Sequence, residues 1–569
     1  MKNKKLLTGL TGTIAGLSAI VPLTTMTSCS KNEKYSTIVK STINELIELN
    51  KYPRCTSNAT RSNLDKVRAY LTTQALKLGI SYDDIHEDKY GNLWFDVPAS
   101  SGYEDYKPLI LQGHMDMVVD GLSEEDKTIT PIETEVDWDN GIMHSKDYKT
   151  TLGADDGHGI AIILAILKDS SIKHGALRII LTADEDSGMY GAAYMAQYTP
   201  EVLNKYGSKC DGRDIKYLLN IDNETLGNID YGCAGSITFN VAKEFDQVEK
   251  TSTYNQFAIQ VTGFLGGHSG VDLIKNRANA DKALFEVLYE LSHNQSKNIQ
   301  IIKHYHPNTT EQGVTTDISF GRNQIVYTAT DQFYTDASEI EVNAAISKVL
   351  AAYKEKYTAE DWNTASIHMV SLNANDDVKA LSTDNSKKII ELLGNNETPD
   401  FESNSFNNLW YGYHKSEGST KSYDYSANLA PVTIKSTDND KMYFNAVSQT
   451  RETNSTDWNN MRDLYKAVEF DGNKIDEESN YPVWDANKNN KMVELCEEAF
   501  KKSNTKYEIL TGNGGVEPTW WVNANKDIQV ASIGATITDA HNCKETLYID
   551  TLQPTIDAVL YVIDSMKNA

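Results

Sequence analysis

Apolar residues near the start of the chain recur at helical spacing. Ile38, Val39, Ile43, Leu46, Ile47 and Leu49 fall on one stripe. Leu64, Val67, Leu71, Ala75 and Leu78 fall on a second, closed by Gly79. Short continuous apolar runs follow at 109–111, 177–181 and 218–221, which read as buried strands, and 160–167 reads as a buried helix between them. Strands separated by helices predict an α/β fold, with a mixed, largely parallel sheet flanked by helices. After about residue 230 the pattern changes. Residues 257–264 alternate as a strand, 280–291 and 342–353 read as helices, and polar stretches such as 394–408 and 435–440 intervene. Near residue 480 the α/β character returns, with a helix at 492–500, a strand at 530–537 and a closing helix at 552–566. The chain therefore reads as one α/β domain, 37–228 and 479–569, interrupted by an inserted α+β domain at 229–478.

Composition narrows the function. The 569 residues can bury more than one core. A formal charge of −26 argues against nucleic acid as a partner, because phosphate binding needs clustered Lys and Arg. The N-terminus is a separate matter. Lys2, Lys4 and Lys5 precede an apolar stretch, 6–23, and then Thr27-Ser28-Cys29-Ser30. This is the pattern of a secretory signal, and a Cys just after a small residue resembles a bacterial lipoprotein cleavage site. The expectation is a signal peptide at 1–28, lipidation of Cys29, a tether at 29–36 and a lipid anchor to the outer face of the cell membrane. An uncleaved membrane span is the weaker reading, since the apolar stretch is short and broken by Gly and Pro. The other cysteines (Cys55, Cys210, Cys233, Cys496 and Cys543) form no CxxC pair and read as isolated thiols.

Candidate chemistry gathers at the ends of the apolar runs. His114 and Asp116 follow the first strand, two apart and so pointing the same way in extended backbone. Asp155 and Asp156 sit in Gly-Ala-Asp-Asp-Gly at the entrance of the 160–167 helix. Asp184, Glu185 and Asp186 follow the next strand, Asp222 follows the one after, and Asp539 and His541 follow the last. A lone strand-end Asp is usually a turn former or a cap. Five such segments in one α/β unit are a different matter, since open sheets bind ligands at the carboxyl ends of their strands. Two His and several carboxylates suit borderline metals such as zinc. A surplus over four ligands suits two ions sharing a bridging carboxylate, an arrangement that activates water and polarises a carbonyl.

The order HxD, GADDG, DED-SG, NID and a C-terminal His resembles the co-catalytic zinc metallopeptidases. Gly-Cys-Ala-Gly at 232–235, Gly-Gly-His-Ser-Gly at 266–270 and Ser-Ile-Gly-Ala-Thr-Ile at 532–537 resemble their aminoacyl-histidine dipeptidase branch. The resemblance implies a zinc-exopeptidase-like catalytic domain with a lid, and hydrolysis of dipeptides or short peptides of the Xaa-His type. It implies two divalent ions, zinc in the first place and manganese or cobalt otherwise. His114 and Asp222 would bind one ion, Asp186 and His541 the other, and Asp155 would bridge them. Glu185 would be the general base and Asp116 would orient His114. In the lid, His268, Asn323 and Arg451 would contact substrate, Arg451 as a fork for a terminal carboxylate. Three features depart from the family pattern: Asp186 stands where Glu is common, Asn513 stands where His is common before Gly-x-x-Glu, and the Asp186–Asp222 spacer is long. An N-acyl amino acid deacylase and a non-catalytic peptide-binding lipoprotein are the alternatives. Either a monomer or a homodimer is compatible with the sequence.

Overall fold

The computed structural model describes residues 34–569 apart from 57–63, 124, 208, 210–211, 271, 310–314, 319, 321–323, 371–377, 396–409, 415–424, 468, 475, 488 and 513. Cys29 and the preceding signal, Cys210, Asn323 and Asn513 lie outside the described residues. No helix among the described residues is long and apolar enough to cross a membrane.

Two sheets organise the chain. The first is mixed and has eight strands. At its centre Leu109–His114 lies parallel to both Leu177–Thr182 and Tyr217–Asn220, and Tyr217–Asn220 is parallel to Gln529–Ser532. Antiparallel Leu93–Val97 and Ile85–Glu87 extend one edge, and Asn228–Cys233 with Glu508–Gly512 extend the other. Register aligns Gln112 with Ile180 on one side and with Asn220 on the other. The carboxyl ends of three adjacent strands therefore open on one edge of the sheet.

The helix Ala154–Lys168 is buried on every side as far as Ile166 and packs against Leu109–His114. Thr37–Leu49, capped by Ser36 Oγ accepting from the Val39 N–H, covers it with Val39, Ile43, Leu46 and Leu49. Each fully buried Ile or Leu in this layer contributes about 1.5–3 kcal/mol. The predicted 530–537 strand is shorter than expected. Its ladder stops at Ser532, and just beyond it Gly534 passes directly against the Asn223 backbone, where no side chain fits.

The second sheet is antiparallel. Its path runs Ser366–Val370, Asn255–Thr262, Ala329–Thr335, Ile299–Tyr305, Tyr425–Ser436, Lys441–Glu452, Gly235–Asp246 and Asp476–Tyr481. The polar 435–440 stretch is the turn of a hairpin between two twelve-residue strands. Ala280–Tyr289 and Thr383–Gly394 pack against each other and on this sheet. Glu339–Lys356 begins earlier than its apolar stripe, because Ser338 and Glu341 form a capping box. The chain passes from the first sheet to the second at Ala234 and leaves the second after Tyr481. The Asn228–Cys233 strand thus stays in the first sheet, and Asp476–Tyr481 reaches just past the expected limit of 478. The two crossings are tied together by reciprocal bonds between Cys233 and Trp484, at 3.0 and 3.1 Å.

Candidate active site

Asp155 is the hub. It sits at the start of the Ala154–Lys168 helix in non-helical backbone, behind Gly153 with φ +73° and before a cis peptide to Asp156. Gly153 is required twice over. A side chain would favour negative φ, and its Cβ would run into Met117 and Arg54. The Glu545 carboxylate accepts the N–H groups of Gly153 (2.8 Å), Ala154 (2.8 Å) and Asp155 (3.1 Å). The buried Arg54 guanidinium holds the carbonyls of Asp116 (3.0 Å), Met115 (3.3 Å) and Gly153 from the other side.

The two oxygens of Asp155 face two different imidazoles. Oδ1 lies 3.1 Å from His114 Nε2, and Oδ2 lies 3.0 Å from His541 Nε2. His114 Nε2 is also 3.4 Å from Asp222 Oδ1, and His541 Nε2 is 2.9 Å from Asp186 Oδ1. Burial opposes ionisation of Asp155, yet the two imidazoles hold its carboxyl well below the usual range. Two triads result, His114–Asp155–Asp222 and Asp155–Asp186–His541, each with its donor atoms within 4.8 Å of one another. They share one carboxylate. All three residues of each triad expected from the sequence are therefore brought together.

Asp116 ties the neighbouring strand ends to each other. Its Oδ1 is 3.5 Å from His114 Nδ1 and accepts the Glu185 N–H at 3.1 Å. Its Oδ2 accepts from the Thr56 hydroxyl at 2.7 Å and from the Asp186 N–H at 3.4 Å. The Glu185–Asp186 turn is entered through Asp184 at φ +56°, and His541 itself stands at φ +64°. Non-glycine residues in this region cost free energy and gather at functional sites.

Carboxylates dominate the electrostatics. Burial pushes Glu185 well above its ordinary range, against the pull of His114. Burial raises Asp222 to about 6, Glu517 to about 8 and Glu224 to about 8. Such a surplus of buried acids, with two imidazoles and a shared carboxylate among them, fits a pair of divalent cations. Beneath the site runs a buried polar row. Thr182 Oγ1 and Gln112 Nε2 donate to Glu517 Oε2, Asn220 Nδ2 donates to Gln112 Oε1 at 2.7 Å, and Ser532 Oγ donates to Asn220.

The site opens into a cleft of about 340 Å³ between the two sheets. Glu185, Asp186 and His541 line one side, and His268, Arg451, Gln449, Ser236 and Tyr481 line the other. Arg451, near the end of Lys441–Glu452, donates to Tyr481 Oη at 2.7 Å. His268 follows two glycines with φ +66° and +123°. Its Nδ1 accepts the Gly270 N–H at 3.1 Å, which leaves Nε2 to carry the ring proton. Burial and the Arg451 charge press His268 down to about 3, so the ring stays neutral. Gly270 has no room for a side chain. A Cβ there would stand 2.9 Å from His268 Cε1 and 3.2 Å from Arg451 Nε.

Sequence reasoning missed Glu545, Arg54 and Glu517. Only Glu517 had a visible signal, the Gly-Gly-Val-Glu run at 514–517.

An α/β sheet that presents two carboxylate-linked imidazole triads to a cleft capped by an antiparallel-sheet lid defines a co-catalytic metallohydrolase architecture. The model of peptidase family M20/M25/M40 matches residues 110–565, and the chain belongs to that family. It is a peptidase, a hydrolase. The cytosol non-specific dipeptidase of Escherichia coli (strain K12) is 27% identical over 473 residues, covering 82% of this chain and 87% of that protein. The crystal structure of aminoacylhistidine dipeptidase from Vibrio alginolyticus matches 94% of this chain and 99% of its own, with a TM-score of 0.67 at 22% identity. That of a tripeptidase from Staphylococcus aureus matches 93% and 99%, with a TM-score of 0.51 at 15% identity. These structural likenesses show a shared fold.

Proposed function

We propose that this chain hydrolyses the peptide bond of dipeptides and short peptides, of Xaa-His type among them, with two divalent cations. One observation carries the reading: the two oxygens of Asp155 face His114 and His541 separately, each with its own second carboxylate, at the mouth of the cleft. His114, Asp155 and Asp222 would hold one ion, and Asp155, Asp186 and His541 the other. Zinc suits this donor set best, with manganese or cobalt as alternatives. When bound, such ions act as Lewis acids on the scissile carbonyl and acidify the attacking water.

The chain's own groups do the rest. Glu185 takes the proton from the attacking water and delivers it to the leaving amine nitrogen. Its carboxylate lines the cleft beside Asp186 and His541, where one group can serve both tasks in turn. His268 donates its Nε2–H to the carbonyl oxygen as negative charge grows there. Arg451 pairs with the terminal carboxylate of the substrate, and the small cleft around it limits substrate length. Asp116 is a positioning residue, since it fixes both His114 and the Glu185 turn. The N-terminal sequence supports attachment to the outer face of the membrane through Cys29.

The test is a panel of Xaa-His and other dipeptides, tripeptides and N-acyl amino acids with the metal-loaded protein. Glu185→Gln is expected to lower kcat by about 10²–10⁴-fold, with metal content unchanged. The reading fails if no free-amine peptide is cleaved or if Glu185→Gln keeps full activity. Turnover of acylated amino acids alone would make the chain a deacylase. Cys29→Ala should release the protein from the membrane fraction, and retention there would refute the anchor.

A further inference from the structure

The lid holds a second cluster of imidazoles and carboxylates, distinct from the active site. Asp281 is the second residue of the Ala280–Tyr289 helix. His304 lies on Ile299–Tyr305, directly opposite Asp331 of Ala329–Thr335, and His306 follows two residues later. All four are buried, with Asp281 and Asp331 at 0% exposure, His304 at 1% and His306 at 6%. His304 Nε2 and His306 Nε2 converge on one oxygen, Asp281 Oδ1, at 3.0 and 2.8 Å. The donor atoms of these three residues all lie within 4.8 Å of one another. Asp281 Oδ2 is held by the Val432 N–H at 2.9 Å. Asp331 Oδ1 stands 2.8 Å from His304 Nδ1, while its buried Oδ2 has no hydrogen-bond partner among the described residues.

Hydrogen bonds alone account for this poorly. His304 would have to carry protons on both ring nitrogens, and both His would crowd one oxygen of Asp281 while a buried oxygen of Asp331 stays unmatched. Phe285 and Phe320 pack against the two rings, so no solvent relieves the charge. A cation between the three donor atoms of Asp281, His304 and His306 relieves the first two of these: His304 then needs a proton only on Nδ1, and both imidazoles and Asp281 Oδ1 face an ion in place of one another. Asp331 accepts the Nδ1–H of His304, which turns the unprotonated Nε2 towards the ion, the usual arrangement for a metal-binding imidazole. The active site offers an internal comparison. There His114 and His541 approach their carboxylates at 2.9–3.4 Å, a similarly close approach of imidazole nitrogens to carboxylate oxygens.

We propose that Asp281, His304 and His306 bind one further divalent cation, zinc by their donor set, and that Asp331 orients His304. The ion has a structural task. It fastens the first turn of the Ala280–Tyr289 helix to the Ile299–Tyr305 strand of the lid sheet and the residue just past its end. That helix starts directly after the segment bearing His268, so the ion anchors the base of that segment.

The measurement is zinc per chain on the full-length protein by native mass spectrometry, comparing wild type, His306→Gln and a His114→Ala/His541→Ala variant. Wild type should carry one more equivalent than His306→Gln. The active-site variant should keep one tightly held zinc, and its cobalt-substituted form should show visible ligand-field absorption. Equal zinc in wild type and His306→Gln would overturn the proposal, as would a folded active-site variant that holds none. If His306→Gln does not fold, the active-site variant decides alone. If neither variant folds, a third equivalent in wild type supports the ion and a limit of two refutes it. Because the active-site variant removes the catalytic ligands, its result does not depend on the proposed peptidase mechanism.

Discussion

Glu545 carries the loop from which Asp155 projects, so Glu545→Gln is the sharpest perturbation of the site that leaves every expected ligand in place. The carboxylate gives one oxygen to the Gly153 N–H and the other to the N–H groups of Ala154 and Asp155. A glutamine has the same shape but only one acceptor. If its oxygen stays on Ala154 and Asp155, its amide group faces the Gly153 N–H, donor against donor. A buried N–H left without an acceptor costs about 1–3 kcal/mol. Loss of the charge also weakens the two remaining bonds by about half, roughly 1 kcal/mol each. Arg54, buried on the far side of the loop, loses a counter-charge as well. The expected loss is about 3–5 kcal/mol of folding stability. Metal affinity should fall about 10–100-fold, the usual effect of removing a group that positions a ligand. Burial pushes this carboxyl up to about 7, so the comparison belongs at pH 8, where the wild-type group is charged. Denaturant midpoints at constant slope give the first quantity, and competition with a chromophoric chelator gives the second. An unchanged midpoint together with unchanged affinity would refute this account of the loop.

Gly270→Ala should press on His268 and Arg451 at once, lowering kcat/KM about 100-fold through displacement of the order of 1 Å; a melting temperature shift without that loss would contradict it. His158 is held neutral, donating from Nδ1 to the Ala154 carbonyl and accepting the Ala535 N–H at Nε2, and burial lowers it to about 4. The unfolded state, with an ordinary His, then binds the extra proton between pH 6.5 and 4, so stability falls with falling pH by about 3 kcal/mol across that window. Denaturant midpoints of His158→Asn should lack this part of the slope, and an identical slope would count against it. Chelation of the metal-loaded protein should lower its stability by about 2.7 kcal/mol for each site previously held at a hundred times its Kd. Calorimetry with and without chelator reads this directly, and an unmoved transition would argue against ions at the Asp155 hub.

The candidate ligands were legible because four of them, His114, Asp186, Asp222 and His541, come just after short apolar runs and Asp155 stands at the head of another, and so many His and Asp at such places are hard to explain as turn formers alone. Their convergence was not legible from the runs alone. It depends on the register that sets Gln112 beside both Ile180 and Asn220, and register is a property of the assembled sheet. Glu545 and Arg54 escaped notice for a related reason. Glu545 lies in a polar segment, Asn-Cys-Lys-Glu, that looks like surface, and its three partners are about 390 residues away in the chain. The long lid hairpin leaves a weak strand pattern for two local reasons. Pro431 interrupts Tyr425–Ser436, and Lys, Asn and Asp crowd its turn. The Pro is accommodated where the ladder with Lys441–Glu452 slips between Leu429 and Val432, with a cis bond after Ala430.

The two lid residues assigned to substrate differ in how the fold holds them, and the difference matches what each would do. Arg451 pairs in register with Ser236 on one side and Ser426 on the other, next to the place where the chain crosses between sheets. Tyr481, its hydrogen-bond partner, ends the strand that returns. The crossings are bonded to each other through Cys233 and Trp484, so Arg451 rides on the part of the lid that is most firmly joined to the catalytic sheet. A group that fixes the end of a substrate gains from such rigidity, because the distance from terminal carboxylate to scissile bond is set by covalent geometry. His268 stands instead in a glycine-rich turn, held by Asp272 Oδ2 accepting its N–H at 2.9 Å and by the Gly270 contact. Its partner atom in the proposed reaction would be a carbonyl oxygen, which moves as the carbon becomes tetrahedral. In the proposed reaction, recognition of the peptide end would thus be built into the seam between the sheets, whereas stabilisation of the developing charge would fall to a segment set farther inside the lid.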